Sequence, residues 1–121
     1  MEISVGHTPD ADDAYMFYGM FTGKVTSHDF TVTHVIEDIE SLNRKAVSPK
    51  LDVTAVSVHA CAYIPGYTIL RSGGSFGIGY GPIVTATKEM SISELQKAKI
   101  AIPGKMTSAF LLLQLMIGKF D

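Results

Sequence analysis

The sequence predicts an α/β fold, and three observations carry that prediction. Short runs rich in Val, Ile and Thr alternate with stretches whose apolar residues recur at helical spacing, the signature of βαβ units around a parallel sheet. Hydrophobic residues make up 46% and charged residues 18%, a balance that supports a packed core and argues against disorder. With 121 residues there is enough chain for one such core.

The elements follow in order. Residues 2–6 read as a first strand that ends at the breaker run His7-Thr8-Pro9-Asp10. Asp10, Asp12 and Asp13 then precede an apolar-rich helix containing Tyr15, Met16, Phe17, Tyr18 and Met20; carboxylates there cap free N–H groups and suit the positive end of the helix dipole. Residues 30–36 form a second strand. Asp38 opens a second helix with apolar positions Ile39, Leu42 and Ala46, basic residues in its last turn, and Pro49 as its stop. A third strand is expected over 51–56, a short helical piece over 58–63 and a further strand over 68–71.

The run 72–82, Ser-Gly-Gly-Ser-Phe-Gly-Ile-Gly-Tyr-Gly-Pro, is the soft boundary of the chain. Beyond it come a strand over 83–87, a short helix over 91–97, a strand over 98–102 and a helix over 107–117 closed by Gly118. That last helix is apolar on nearly every face, so it should be covered on more than one side. Few residues follow it, and the cover is expected from additional polypeptide. On this reading residues 1–82 form a first α/β lobe and residues 83–121 begin a second.

Several function classes are disfavoured at once. Net charge is −2 and the basic residues are scattered, so no nucleic-acid footprint is present. The apolar stretch 109–117 falls well short of the about 20 residues that span a bilayer, and Met1 to Gly6 lack the charge and apolar run of a secretory signal. Cys61 is the only cysteine, which rules out an intrachain disulfide. A cytoplasmic setting is expected.

Motifs narrow the chemistry without fixing it. Gly77, Gly79 and Gly81 imitate a dinucleotide fingerprint, but strand-forming residues follow them where a helix is required. Exposed backbone N–H groups in this loop could still meet a ligand, or the loop could be a simple flexible turn. Gly104-Lys105-Met106-Thr107 is not a phosphate loop, because the first glycine of that pattern would fall at Lys99 and Met106 stands where Ser or Thr is needed. Thr107 and Ser108 nevertheless open a helix after a turn, a place where N–H groups and hydroxyls bind small anions; ordinary N-capping by Thr107 is the alternative. The Asp10, Asp12, Asp13 cluster fails the calcium-loop pattern, and neither the four histidines nor the cysteine has zinc spacing. No metal is expected. His7, Ser57 and His59 each follow a predicted strand, where α/β proteins gather ligands, yet Ser57 and His59 two positions apart do not make a catalytic dyad by proximity in sequence.

Taken in order, five segments resemble the 1,4-dihydroxy-6-naphthoate synthase family. They are residues 6–18, Gly-His-Thr-Pro-Asp-Ala-Asp-Asp-Ala-Tyr-Met-Phe-Tyr; residues 37–44, Glu-Asp-Ile-Glu-Ser-Leu-Asn-Arg; residues 52–57, Asp-Val-Thr-Ala-Val-Ser; residues 70–84, which open Leu-Arg-Ser-Gly-Gly and close Gly-Tyr-Gly-Pro-Ile-Val; and residues 102–109, Ile-Pro-Gly-Lys-Met-Thr-Ser-Ala. The resemblance implies a fold like the type II periplasmic binding proteins, with two α/β lobes clamping the substrate and this chain as the N-terminal part. It also implies a lyase of the futalosine route to menaquinone that releases 1,4-dihydroxy-6-naphthoate from cyclic dehypoxanthine futalosine and needs no cofactor. Ser57, Thr107 and Ser108 are then substrate-binding, Gly79, Tyr80 and Gly81 line the cleft, and the general-base histidine lies beyond residue 121. His7-Thr8-Pro9-Asp10 departs from the Ser-Pro-x-Pro commoner in the family. The resemblance extends to chorismate dehydratase, and a non-catalytic module that binds or senses a small anion is the reading outside enzymology.

Overall fold

A three-stranded parallel sheet organises the first half of the protein. The structure, a computed structural model, describes residues 1–120. Strand β1 (Glu2–His7) lies in the middle, flanked by β2 (Thr31–Ile36) and β3 (Val53–Thr54). Register runs from Glu2 opposite Thr31 to His7 opposite Ile36 on one side, and from Val5 opposite Val53 to Gly6 opposite Thr54 on the other. Parallel neighbours need crossovers, and helices α1 (Ala11–Phe21) and α2 (Ile39–Val47) supply them. Burial deepens along β1, so Val5, Gly6 and His7 are buried where the strand meets the core.

Gly6 is dictated by packing. A Cβ there would stand 2.6 Å from Leu51 Cδ1 and 2.9 Å from Leu42 Cδ2, so α2 and the approach to β3 close onto bare backbone. The third strand, expected over 51–56, pairs only at Val53 and Thr54. A side-chain knot replaces the missing ladder: Asp52 Oδ2 accepts from Ser4 N at 2.8 Å and from Ser4 Oγ at 2.6 Å, while Ser4 Oγ accepts from Asp52 N at 2.9 Å.

The first two helices start differently. Asp38 caps α2 as expected, its Oδ1 accepting from Ser41 N at 3.0 Å. Asp10 occupies the N-cap of α1 but makes no side-chain cap bond; the buried Asp13 instead reaches back and accepts from Thr8 N at 2.6 Å. The inward face of α2 carries Leu42 and Ala46, both fully buried, beside the polar Glu40 and Asn43. Burying Leu42 contributes roughly 1.5–3 kcal/mol.

After a 3-10 turn at Ala60–Tyr63, regular structure thins to α3 (Ile92–Leu95), held by a Ser91–Glu94 capping box, and α4 (Ser108–Ile117), capped by Thr107 and ended by Gly118 at φ 79°. The strands expected over 68–71, 83–87 and 98–102 do not form among the described residues. A strand exists by hydrogen-bonding to a neighbour, and these segments have none. Instead 82–87 and 98–103 border a hollow of about 480 Å³ against α4, walled by Val84, Leu95, Ile100, Phe110, Leu113 and Met116. The expected cover over α4 is likewise not among the described residues: Leu115 is 74% exposed and Met116 52%. No described helix is long and apolar enough to cross a membrane.

Candidate functional site

The site is assembled from α2, the segment after β3 and the start of α4. Asn43, completely buried, addresses Ser57 twice: its Oδ1 accepts from Ser57 N at 2.8 Å and its Nδ2 donates to Ser57 Oγ at 3.1 Å. One turn earlier on the same helix, Glu40 Oε2 accepts from Met106 N at 3.1 Å, and Arg44 Nε donates to its other oxygen at 3.3 Å. Glu40 and Asn43 therefore hold the two halves of the site from one helix face.

A direct link joins those halves. The N–H of His59 donates to Ser108 Oγ at 3.2 Å, and His59 Nδ1 lies 3.1 Å from Thr107 O. The structure thus brings Thr107 and Ser108 to within two residues of Ser57. Thr107 is 3% exposed, and its hydroxyl donates to Gly104 O at 2.7 Å and accepts from Phe110 N at 3.2 Å. Both of its roles are taken, so Thr107 caps the helix. Ser57 and Ser108 differ: each hydroxyl oxygen accepts a bond and leaves its O–H free to donate. The N–H groups of Ser108 and Ala109, the first in α4, have no acceptor among the described residues. The result is rich in donors, and the positive end of α4 points the same way electrostatically.

Beside α4 lies an open cavity of about 400 Å³ lined by His59, Tyr63, Lys105, Met106, Phe110 and Gln114. Lys105 makes no ion pair among the described residues. Ser57, Thr107 and Ser108 do not line this cavity, and Ala109 borders the other hollow, so His59 is the residue that joins the cavity to the donor set. A cation, a phenol and an apolar wall suit an anion with a hydrophobic body.

Other sequence candidates lie elsewhere. Tyr80 is 76% exposed, and neither it nor Gly79 or Gly81 lines this cavity. The same loop approaches α1, where the Ser75 hydroxyl beside Asp12 holds that carboxyl below the usual carboxylate range. His7 is buried, stacks on Phe17 at 4.7 Å and bonds His34, its Nε2 standing 3.0 Å from His34 Nδ1. Ser57 and His59 form no dyad, since the serine bonds Asn43 while the imidazole faces Thr107 and Tyr63. Glu40, Asn43, Tyr63 and Lys105 were not among the sequence candidates. A signal existed for two of them: Glu40 and Asn43 stand three apart on the stripe that also carries Leu42 and Ala46.

Comparison with known proteins decides the family. A family model described as menaquinone biosynthesis matches residues 3–121. The chain belongs to the menaquinone biosynthesis family. This family member is similar to the 1,4-dihydroxy-6-naphthoate synthase of Thermus thermophilus, 37% identical over 119 residues that cover 98% of the chain and 43% of the relative. It is also similar to the crystal structure of protein AF1704 from Archaeoglobus fulgidus, at 50% identity and a TM-score of 0.90, over 99% of this chain and 44% of that one. The chain spans less than half the length of either relative.

Proposed function

We propose that the complete protein is a lyase of menaquinone biosynthesis converting cyclic dehypoxanthine futalosine to 1,4-dihydroxy-6-naphthoate. The substrate binds between two α/β lobes of the type II periplasmic-binding-protein kind, residues 1–82 belonging to the first and 83–121 beginning the second. Further polypeptide, continuous or separate, covers the apolar side of α4 and brings the general-base histidine. The reaction is placed in the cytoplasm.

One observation carries this reading. The bond from His59 N to Ser108 Oγ sets the α4 start beside Ser57, and donors without acceptors collect there. In the reaction this chain binds and orients. The O–H groups of Ser57 and Ser108 and the N–H groups of Ser108 and Ala109 hold an anionic oxygen, and they stabilise negative charge that develops when the base removes a proton. The similarity to a named naphthoate synthase supports the choice of substrate.

Incubating the complete protein with cyclic dehypoxanthine futalosine and following 1,4-dihydroxy-6-naphthoate by chromatography tests the proposal. Formation of the naphthoate is expected, and residues 1–121 alone are expected to give none. Turnover of chorismate in a parallel reaction, with the futalosine derivative untouched, would replace this reading with chorismate dehydratase. Tight binding of either compound without turnover would leave a solute-binding module.

A further inference from the structure

His59 stands outside the donor set, yet it connects both of its parts. Ser57 O accepts from Cys61 N at 3.3 Å, so residues 57–61 form one tight turn and His59 rides with Ser57. From that turn two bonds reach α4, one from the main-chain N–H to Ser108 Oγ and one between ring Nδ1 and Thr107 O. A carbonyl oxygen only accepts, so Nδ1 carries the hydrogen and Nε2 of the neutral ring is an acceptor. The Tyr63 hydroxyl, 3.4 Å away, donates to it, and the two rings meet edge to face at 5.4 Å. With Nδ1 on the carbonyl and Nε2 on the phenol, the imidazole is held from both sides. Its role is geometric.

We propose that His59, as its Nδ1–H tautomer, is the positioning residue that fixes Ser108 against Ser57 so that their free donors meet one anion. This rests on the reading of that site given above. The nitrogen that does the positioning is Nδ1. An Asn side chain presents its N–H₂ near the Nδ1 position, whereas Gln presents it near Nε2, so the two amides differ chiefly in where the donor stands.

The test compares His59→Asn with His59→Gln in the complete protein. Hydrogen exchange of the segment 104–111, followed by mass spectrometry, is read beside KM and kcat for cyclic dehypoxanthine futalosine. The Asn variant is expected to keep the protection and a KM within about twofold of the parent. The Gln variant is expected to lose protection and to raise KM on the order of fivefold, what one hydrogen bond is worth, with kcat less affected. Equal behaviour of the two variants in both readouts overturns the proposal. If the parent protein turns nothing over but exchange still separates the variants, the reaction assignment falls and the positioning role stands. Should either variant fail to fold, Tyr63→Phe decides by the same exchange measurement: releasing Nε2 is expected to loosen 104–111, and unchanged protection overturns the role.

Discussion

The N–H of Met106 donates to Glu40 Oε2 at 3.1 Å, joining residues 66 positions apart in the chain. Glu40 is 8% exposed, so its carboxylate is withdrawn from water and answered by this N–H and by Arg44. Three residues on, Asn43 holds Ser57. A single helix face therefore sets the distance between the two segments from which the site is built, and disturbing either polar residue should act on both stability and binding.

Gly104 adjoins this contact. Its φ is +151°, and a Cβ there would collide with the Glu40 carboxylate. The carboxylate could swing aside only by releasing Met106 N. Gly104→Ala is therefore expected to destabilise the complete protein by about 1–3 kcal/mol in urea denaturation, from backbone strain together with a lost buried bond. A loss below the error of the measurement would show that the Glu40 contact is dispensable.

Asn43 offers a finer separation. Asn43→Leu leaves the part-buried Ser57 N–H without its acceptor, which should cost about 1–3 kcal/mol in the same denaturation measurement. Asn43→Asp keeps an acceptor for Ser57 N but loses the Nδ2 donor, so the Ser57 hydroxyl is expected to turn and donate to the new carboxylate. That withdraws a donor from the ligand. Under the proposed function, KM should rise in Asn43→Asp by on the order of fivefold, and isothermal titration with 1,4-dihydroxy-6-naphthoate should show the same weakening.

The first half of the fold was readable because its signals are local. Alternation in β1, the Asp38 cap with helical spacing in α2, and the Thr107 cap of α4 all act within a few residues, and each element appears within a residue or so of its expected place. The strands expected over 83–87 and 98–102 have the right side chains, but strand formation depends on a neighbour that the sequence of the segment does not contain. The site divides the same way. Ser57 follows β3, and Thr107 and Ser108 open α4, places where ligands gather, so pattern reached them as candidates. Glu40 and Asn43 are polar residues on a buried stripe, and their value comes from partners 66 and 14 residues away, which periodicity does not register. The capping role of Thr107 shows the opposite failure, a hydroxyl that reads as a binding group but is occupied by the chain itself.

Close packing makes a prediction at the centre of the sheet. With side-chain atoms of Leu51, Leu42 and Thr54 all within 2.9 Å of a Cβ built on Gly6, Gly6→Ala must displace those side chains, and the buried Leu42 passes the strain to α2. Overpacking of this kind costs about 1–3 kcal/mol. The melting temperature of Gly6→Ala should fall accordingly. Because α2 also carries Asn43, the displacement should reach Ser57, read as faster hydrogen exchange at its N–H.

The paired histidines predict how stability depends on pH. Thr8 O can only accept, so His7 Nδ1, 3.1 Å away, carries a hydrogen, and His7 Nε2 then accepts from His34 Nδ1–H. This leaves His34 Nε2 as a bare lone pair, which agrees with its being buried without a partner. Phe17 and Phe21 pack against the His34 ring, so no counter-charge from α1 meets it. Burial, and then the neighbouring charge of His7, lower the His34 pKa from its ordinary 6.5. The unfolded chain therefore takes up a proton at a higher pH than the folded one. The contribution of His34 is fully present above 6.5 and is lost as pH falls from there through the lowered folded value. Urea midpoints measured from pH 7.5 down to pH 5, about a unit either side of the ordinary value, should decline for the parent protein. His34→Gln, which does not titrate, should flatten that decline. An unchanged slope in the variant would place the acid sensitivity on groups other than His34; Asp52 and Asp38, held below their ordinary 3.8 by hydrogen bonds from Ser4 and Ser41, lose their contributions only at lower pH than this range.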